Sequence, residues 1–286
     1  MERFAFFGGV FWLAEAGATK TDWLRSDGVR QRFPGFNIEV EGGAEAAEKH
    51  FMAIRQAFVE STWPWPEKLY YYGPALHNAE NKETIRAVLK SVFPEIADIQ
   101  VEHDLLGAAR AAWGKAAGIV CILGTGSNCA WYDGEKIGRQ RGGHGYLLGD
   151  DGSGADLGKS LLSALLHDEM PEDLKEQFLK RYSQSPMELR KAAYQSPRPS
   201  AFLAGFAYFL SEHRTHPWVR SLVRGRIEAF VSRTWGRWEA GEPVRYVGGI
   251  AQAFADLAEE VTRAWGGKWG GVVSDPAENL LQFHRR

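Results

Sequence analysis

Short apolar runs separated by glycine-rich turns open this chain, and the pattern predicts a β-meander. The run at residues 10–14 is predicted to be a buried strand, and the polar loop 15–21 follows it. A second strand, the dipeptide Asp27-Gly28 and a third strand come next, and Asp-Gly between two such runs is a strong hairpin signal. The same order of strand, glycine-rich loop and hairpin begins again at residue 118. The repetition predicts two related halves.

Helical spacing of apolar residues follows each meander. Residues 44–58 carry Ala, Phe, Ile and Phe at intervals of three to four, which predicts a helix that covers the sheet. Strands are predicted at 69–72 and 99–101, and the helix between them is expected to be capped by Asn81. After the second meander, helices are predicted at 156–166, 186–194, 200–210 and 218–238, followed by a strand at 244–247. This alternation predicts an α/β fold whose second half is rich in helices.

Composition and charge exclude several classes of function. A length of 286 residues fits about two domains. The 34 basic and 36 acidic side chains form no block of like charge, which argues against a nucleic-acid partner. No apolar run reaches the roughly 18 residues of a membrane helix, and the beginning of the chain, with Glu2 beside Arg3, is a poor signal peptide. Two cysteines make no disulfide framework, so a cytoplasmic protein is expected.

Familiar ligand motifs are absent from the sequence. There is no G-x-x-x-x-G-K-[ST] phosphate loop, and Gly124-Thr125-Gly126 lacks the third glycine of a dinucleotide fingerprint. The eight histidines show neither zinc-finger nor zinc-protease spacing.

Two loops that combine glycine with hydroxyl residues are the clearest candidates for chemistry. They comprise residues 17–21 and 124–128, and a third turn, Gly248-Gly249, joins a strand to a helix. Glycine lets backbone N–H groups approach an anion closely. Lys20 could add positive charge near a phosphate, or it could be a solvated lysine at a hairpin tip. Carboxylates close to these segments are Glu15, Asp104, Asp150 and Asp151. Phosphoryl transfer needs such parts: amides for phosphate, a carboxylate for Mg²⁺ and a base for the attacking hydroxyl.

Asp104 lies where the strand 99–101 gives way to a helix. An aspartate in that position often caps the helix by accepting hydrogen bonds from free backbone N–H groups. The carboxyl ends of strands in open α/β sheets are also where ligands bind, and an aspartate there can act as a base. The pattern alone leaves both interpretations open.

Six segments carry a resemblance to a known family. They are LAEAGATKTDW (13–23), GFN (35–37), EHDLLGAARA (102–111), CILGTGSN (121–128), GYLLGDDGSGADLG (145–158) and YVGGIA (246–251). In this order they resemble the N-acetylglucosamine kinase branch of the BadF/BadG/BcrA/BcrD ATPase family, within the sugar kinase, actin and heat-shock chaperone ATPase superfamily. The resemblance implies two ribonuclease-H-like (actin-like ATPase) domains around an interdomain cleft. The expected domains are residues 1–104 with the C-terminal helix 275–286, and residues 105–274.

The same resemblance implies a reaction and its residues, namely ATP-dependent phosphorylation of an amino sugar, with N-acetylglucosamine converted to its 6-phosphate. ATP and its phosphates are expected at Gly17, Ala18, Thr19, Lys20, Gly124, Thr125, Gly126, Ser127, Gly248 and Gly249. Asp104 is expected to be the general base, and the sugar contacts are Asp104, Asn37, Asn128, Gly145 and Asp150. Glu15 is the expected Mg²⁺ ligand, through water.

Three positions depart from the family pattern. Glu15 stands where the family's first loop opens with Asp, residues 72–75 replace a small loop, and His144 stands where some relatives carry an aromatic residue. Two other functions are compatible with the sequence. One is an ATP-driven activator of a partner enzyme, whose relatives share an iron–sulfur cluster through cysteines, and the other is a nucleotide or sugar sensor without turnover. Helical surfaces after Pro199 could support a homodimer.

Overall fold

The computed structural model of the chain describes residues 10–238 and 241–285. The predicted first domain also includes residues 1–9 and 286, and the predicted second domain includes 239–240; these lie outside the described residues, as does the Glu2–Arg3 pair. Within the described residues, the chain up to Lys115 and the chain from Asp275 form one compact unit, and Ala116–Ser274 form a second.

The described residues form ten strands and thirteen α-helices, with a short 3₁₀ helix at Trp235–Arg237. The strands are β1 (Phe11–Ala16), β2 (Lys20–Arg25), β3 (Arg30–Pro34), β4 (Lys68–Gly73), β5 (Asp98–His103), β6 (Gly118–Leu123), β7 (Ser127–Tyr132), β8 (Ile137–Gly142), β9 (Pro243–Val247) and β10 (Lys268–Val273). The helices are α1 (Gly43–Glu60), α2 (Ala79–Val92), α3 (Asp104–Trp113), α4 (Gly145–Leu148), α5 (Gly154–Leu166), α6 (Glu172–Tyr182), α7 (Pro186–Gln195), α8 (Pro199–Gly205), α9 (Ala207–Glu212), α10 (Pro217–Arg233), α11 (Gly249–Ala253), α12 (Ala255–Ala264) and α13 (Pro276–His284).

Each unit contains a five-stranded sheet of the same topology. The first sheet has the order β3-β2-β1-β4-β5, and the second has the order β8-β7-β6-β9-β10. In both, three antiparallel strands form a meander and two further strands run parallel to its first strand. Two domains with the mixed sheets of actin-like ATPases confirm the predicted fold class.

The first unit buries an aromatic cluster between its sheet and the helices α1 and α2. Trp12 and Trp23 are fully buried and meet edge to face, with ring centroids 6.3 Å apart. Phe58 of α1 packs against both rings. The helix α1 forms here because its apolar residues recur on one stripe, which this cluster covers.

The opposite face of the first sheet is covered by α3 and α13. Leu280 and Leu281 of α13 are buried against Leu13 and Leu24 of the sheet. At the end of α13, His284 stacks on Tyr70 with ring centroids 3.7 Å apart. The Nε2 atom of His284 lies 2.8 Å from the hydroxyl of Tyr72, which also accepts a hydrogen bond of 2.6 Å from Arg110 of α3. Burial, together with the positive charges of Arg110 and Lys68, lowers the pKa of His284 to about 3.

The second unit inserts seven helices, α4–α10, between its meander and β9. They build a large core, in which Leu161 and Phe230 are among the buried residues. Gly158 of α5 packs against the backbone of Leu203 in α8, where a Cβ atom would overlap the carbonyl oxygen. The insertion explains why the second half is rich in helices, as predicted.

Three details differ from the sequence expectations. The division between the units follows Lys115 rather than residue 104, since α3 packs on α13 and on the first sheet. The helix α2 begins at Ala79 and is capped by Asn78 instead of Asn81. The helix α6 was not predicted. No helix in the described part of the chain is long and apolar enough to cross a membrane.

Candidate functional site

The first predicted phosphate loop connects β1 to β2. The N–H of Gly17 donates a 2.8 Å hydrogen bond to the carbonyl of Lys20, which closes the turn. Gly35 lies against this loop: a Cβ atom at Gly35 would overlap the carbonyl oxygen of Gly17 and lie 2.7 Å from the N atom of Lys20. The segment that contains Gly35 therefore supports the loop, a role that sequence reasoning did not assign to it.

Acidic side chains surround Glu15, just before this loop. Desolvation is the largest cause that raises the pKa of Glu15 to about 7, and the charges of Asp22, Asp104 and Asp275 raise it further, while Lys20 lowers it. The carboxylate of Asp22 is buried and accepts hydrogen bonds of 2.8 and 3.0 Å from Arg32. These groups create a negative field at the end of β1.

Asp104 is the first residue of α3 and not its cap. The capping position belongs to His103, and no side chain there satisfies the helix N-terminus. The Oδ1 atom of Asp104 is buried and makes no hydrogen bond, although Nε2 of His103 lies 3.0 Å away. A buried carboxylate oxygen without a hydrogen bond is costly, and such groups are frequent at functional sites.

The residues around Glu15 fit a magnesium ion held mostly by water and phosphate. In residues 10–238 and 241–285, no group of three or more His, Cys, Asp and Glu side chains is arranged to hold a metal. Mg²⁺ commonly keeps several waters and uses only one or two carboxylates plus substrate phosphates. Desolvation is the main cause of the raised pKa of Glu15, and the neighbouring carboxylates that raise it further also favour a cation at that position.

Asn37, a predicted sugar contact in the first unit, is engaged in a turn. Its Oδ1 atom accepts a 3.0 Å hydrogen bond from the N–H of Glu39, and its carbonyl accepts from Val40 and Glu41. The side chain is half-buried.

The second predicted phosphate loop connects β6 to β7 in the second unit. The N–H of Gly124 donates to Gly126, and the carbonyl oxygens of Gly124 and Thr125 accept hydrogen bonds of 2.8 and 3.1 Å from the first residues of α5, Gly154 and Ala155. The start of α5 thus fixes the loop. Gly248, with a φ of +117°, packs on the loop from β9: a Cβ atom there would overlap the carbonyl oxygen of Leu123. Only glycine suits this position.

Asp150 lies directly against the second loop. A Cβ atom at Gly126 would be 2.8 Å from Oδ2 of Asp150, so this glycine makes room for the carboxylate. The backbone of Asp150 has a φ of +57°, which is uncommon for a residue with a side chain. Burial raises the pKa of Asp150, although a hydrogen bond from the N–H of Ser127 opposes this effect. An aspartate held in this strained conformation beside a glycine loop is a candidate for ligand binding.

Three further predicted contacts belong to the second unit, namely Asn128, Gly145 and Gly249. The Oδ1 atom of Asn128 accepts hydrogen bonds of 2.9 Å from the N–H of Cys129 and 3.3 Å from Gln140. Gly145 begins the short helix α4 with a φ of +77°, and Gly249 begins α11.

Sequence reasoning missed a network of ion pairs beside Asp150. Arg226 of α10 donates to Asp151 and Asp156 at 2.7 Å each, and Arg233 donates to both oxygens of Asp151 at 2.9 and 2.8 Å. Asp151 is therefore neutralised, and it anchors the glycine-rich segment to α10. Its partners lie more than seventy residues further along the chain, so no local spacing could reveal them.

A cavity of about 890 Å³ opens beside Asp150, entirely within the second unit. Ser127 and His144 line it next to Asp150, and the end of α10 forms another wall. The volume falls within the range of roughly 300–1,000 Å³ typical of small-molecule sites.

The chain is similar to solved and curated proteins. A structure of a candidate N-acetylglucosamine kinase from Porphyromonas gingivalis is 31% identical, with a TM-score of 0.84, and the match covers 96% of this chain and 98% of the other. This chain belongs to that N-acetylglucosamine kinase-like family of actin-like ATPases. A ROK family glucokinase from Streptomyces griseus, in complex with glucose and AMPPNP, is 14% identical with a TM-score of 0.54 over 96% of this chain and 98% of that one, which shows a shared fold only.

A curated relative of the family matches only a short part of this chain. The N-acetylmuramic acid/N-acetylglucosamine kinase of Clostridium acetobutylicum is 34% identical over 87 residues, which is 30% of this chain and 28% of that protein. No protein-family profile matches the chain.

Proposed function

We propose that this protein transfers the terminal phosphoryl group of ATP to the 6-hydroxyl of an N-acetylated amino sugar, with N-acetylglucosamine as the acceptor and Asp104 as the general base. Membership in a family whose members are named as sugar kinases supports the reaction class. The observation that carries the residue assignment is Oδ1 of Asp104, which is buried and has no hydrogen bond. Since Oδ1 is covered and lies 3.0 Å from Nε2 of His103, the other carboxylate oxygen, on a side chain that is 26% exposed, would accept the proton of the sugar hydroxyl.

The two glycine loops are the proposed contacts of the nucleotide phosphates. Their backbones are tightly constrained by Gly35 and Gly248, so their amides are held in place before any ligand arrives. Preorganised amides stabilise developing negative charge without reorganisation during the reaction. A protein of the same fold has been solved with the ATP analogue AMPPNP, which supports ATP as the donor.

Glu15 is the proposed magnesium ligand, through water. A bound Mg²⁺ would neutralise charge on the phosphates and orient them for attack. Glu15 would supply negative charge to the metal's water shell, and Lys20, whose charge already acts on Glu15, would balance the phosphates.

The cysteines do not support the alternative function, an ATP-driven activator of a partner enzyme that shares an iron–sulfur cluster. Cys121 and Cys129 face each other across β6 and β7 with sulfur atoms 3.6 Å apart, and both side chains are fully buried. Burial raises the pKa of the Cys121 thiol well above its usual range, so it is a poor cluster ligand.

The test is an ADP-release assay over N-acetylated sugars, free amino sugars and plain hexoses, with Asp104→Asn beside the wild type. We expect N-acetylglucosamine to stimulate ADP release, and Asp104→Asn to lower kcat by about 10²–10⁴-fold, the usual contribution of a general base. Asp98→Asn, a change at a half-exposed carboxylate at the start of β5 paired with Lys68, is the matched control and should keep activity.

Two results would contradict the proposal. If no sugar stimulates ADP release, the kinase function is wrong and a sensor becomes the better interpretation. If Asp104→Asn retains sugar-dependent activity, the kinase survives and the base assignment fails.

A further inference from the structure

His103 lies directly beside the proposed base, at the junction of β5 and α3. Its backbone is fixed, because it is the last residue of β5 and pairs with Gly73 of β4 in a parallel ladder. Its imidazole is only 14% exposed, and Nε2 lies 3.0 Å from Oδ1 of Asp104. Two side chains that are adjacent in the chain are therefore held against each other in a largely buried place.

The start of α3 offers the carboxylate of Asp104 other partners. The first backbone N–H groups of a helix have no acceptor within the helix, and an aspartate in the first turn is attracted to them. At α3 the capping residue is His103, whose side chain accepts none of these N–H groups. Oδ1 of Asp104 nevertheless makes no hydrogen bond with them and remains buried beside the imidazole. The carboxylate is thus turned away from the acceptor role that its position in the helix favours.

The residues around the imidazole leave its Nε2 atom to the base. Glu102, the preceding residue, pairs with Lys82, whose Nζ atom is 2.5 Å from Oε2. The ring of His77 meets the ring of His103 edge to face, with centroids 6.1 Å apart. This ring contact supports the imidazole from the loop between β4 and α2, while its Nε2 atom faces Asp104.

A group held at one carboxylate oxygen decides which oxygen the substrate meets. The terminal torsion of an aspartate is broad, so its two oxygens exchange places unless one of them is held. An imidazole N–H that donates to Oδ1 would prevent this exchange and leave the second oxygen for the acceptor hydroxyl. Catalytic hydrogen bonds are often poorly aligned before the substrate binds and tighten afterwards, which fits a contact of 3.0 Å that is not yet a hydrogen bond.

We propose that His103 is a positioning residue of the phosphoryl transfer: its Nε2–H holds Oδ1 of Asp104, so that the second carboxylate oxygen faces the acceptor hydroxyl. The inference rests on the proposed kinase function, since it concerns the same base. His103 acts through Asp104 and takes no proton from the substrate.

Two substitutions separate the N–H donor from the ring. His103→Gln keeps a donor at about the reach of Nε2 and removes the ring, whereas His103→Phe keeps a ring against His77 and removes the donor. With N-acetylglucosamine, His103→Phe should lower kcat by about ten- to a hundredfold, as expected for a misplaced catalytic group, and should change the KM for the sugar by less than about threefold. His103→Gln should retain kcat within about threefold of the wild type. A residue that only packs would give the reverse order.

The matched control is His77→Phe, a change at an exposed histidine beside the same ring, which should keep the wild-type kcat. A double-mutant cycle tests whether His103 acts through the base. Added to Asp104→Asn, His103→Phe should lower kcat by less than about a further twofold, because residues that act as a unit are not additive. A full additional loss would show that His103 acts independently of Asp104, which overturns the inference.

Crystal structures of the variants give a readout that needs no activity. We expect the carboxylate of Asp104 to keep its orientation in His103→Gln and to turn towards the backbone N–H groups of α3 in His103→Phe. An unchanged carboxylate or an unchanged kcat in His103→Phe overturns the inference and leaves the kinase intact. Absence of phosphorylation of every sugar overturns the proposed function, and the orientation of the carboxylate then decides whether His103 holds Asp104. If His103→Phe does not fold, His103→Leu, which also lacks a donor, takes its place in each measurement.

Discussion

The two units share a sheet topology and a glycine loop at the same place in their meanders, yet the charged side chains around the two loops differ. In the first unit, Glu15 is surrounded by carboxylates, and its pKa is raised to about 7. In the second unit, arginines outnumber aspartates in the cavity beside the loop. The common scaffold positions backbone amides in both units. The side chains around the loops differ: carboxylates lie near Glu15 in the first unit, and arginines and aspartates together line the cavity in the second.

The largest effects are expected where the two loops are supported by glycine. Gly35→Ala and Gly248→Ala should each lower the free energy of unfolding by about 3 kcal/mol or more, because the added methyl group overlaps backbone atoms. Gly248→Ala should cost more than Gly35→Ala, since its φ of +117° is also unfavourable for alanine. Urea unfolding measures both.

The control for these substitutions is Gly225→Ala inside α10. An added Cβ atom there meets nothing within 4 Å, so this change should stabilise the protein by up to about 1 kcal/mol. If Gly35→Ala behaves like Gly225→Ala while Gly248→Ala does not, the two loops are not supported in the same way.

An intermediate effect is expected from the acidic surroundings of Glu15. Because its pKa is about 7, Glu15 is mostly protonated at pH 6 and mostly ionised at pH 8. The apparent affinity for Mg²⁺ should therefore rise about tenfold between these pH values, since ligands bind metal in the deprotonated form. Magnesium titrations of ADP release measure this change. Glu15→Gln should remove the dependence and Glu15→Asp should retain it. If the apparent Mg²⁺ affinity of the wild type does not change with pH, Glu15 is not the metal ligand.

The smallest effect concerns His284, which stacks on Tyr70 and lies beside the hydroxyl of Tyr72 in the first unit. Its pKa falls from 6.5 unfolded to about 3 folded, so the unfolded chain binds the proton more tightly. Its contribution to stability is full above pH 6.5 and is lost as the pH falls towards 3, by up to about 1.4 kcal/mol per pH unit. Glu15 contributes the opposite trend, since its raised pKa gives stability below pH 4.5 that is lost as the pH rises through 7. Urea unfolding should show that the wild type loses about 1 kcal/mol more stability than His284→Gln when the pH falls from 6.5 to 5.5. An equal loss in both proteins would contradict the burial of a neutral imidazole.

The order of elements and the duplicated meander could be predicted because periodicity and turn chemistry are local. Other features could not. Asn78 and Asn81 lie together at the start of α2, and only the contacts show that Asn78 accepts the N–H of Asn81, whose own amide donates to Ala75. The helix α6 escaped prediction because just two of its eleven residues, Leu174 and Phe178, are buried.

The predicted site residues differ in how much of their surroundings could be inferred from the sequence. Asp104 could be singled out from its position between a strand and a helix, but its unsatisfied Oδ1 depends on the packing around it. The side-chain Oδ1 atoms of Asn37 and Asn128 accept hydrogen bonds from neighbouring backbone N–H groups, a detail that composition cannot reveal. The arginines of the cavity come from β8 and from a segment about ninety residues later, so proximity in sequence gave no signal for them.

The return of α13 to the first sheet has a consequence for synthesis on the ribosome. Residues 116–274 are contiguous, and they can complete their own sheet as soon as they emerge. The first unit has to wait for the residues from Asp275 onward, because Leu280 and Leu281 cover Leu13 and Leu24. Although it is made first, it is finished last, and its uncovered face is exposed to chaperones and to aggregation during that delay.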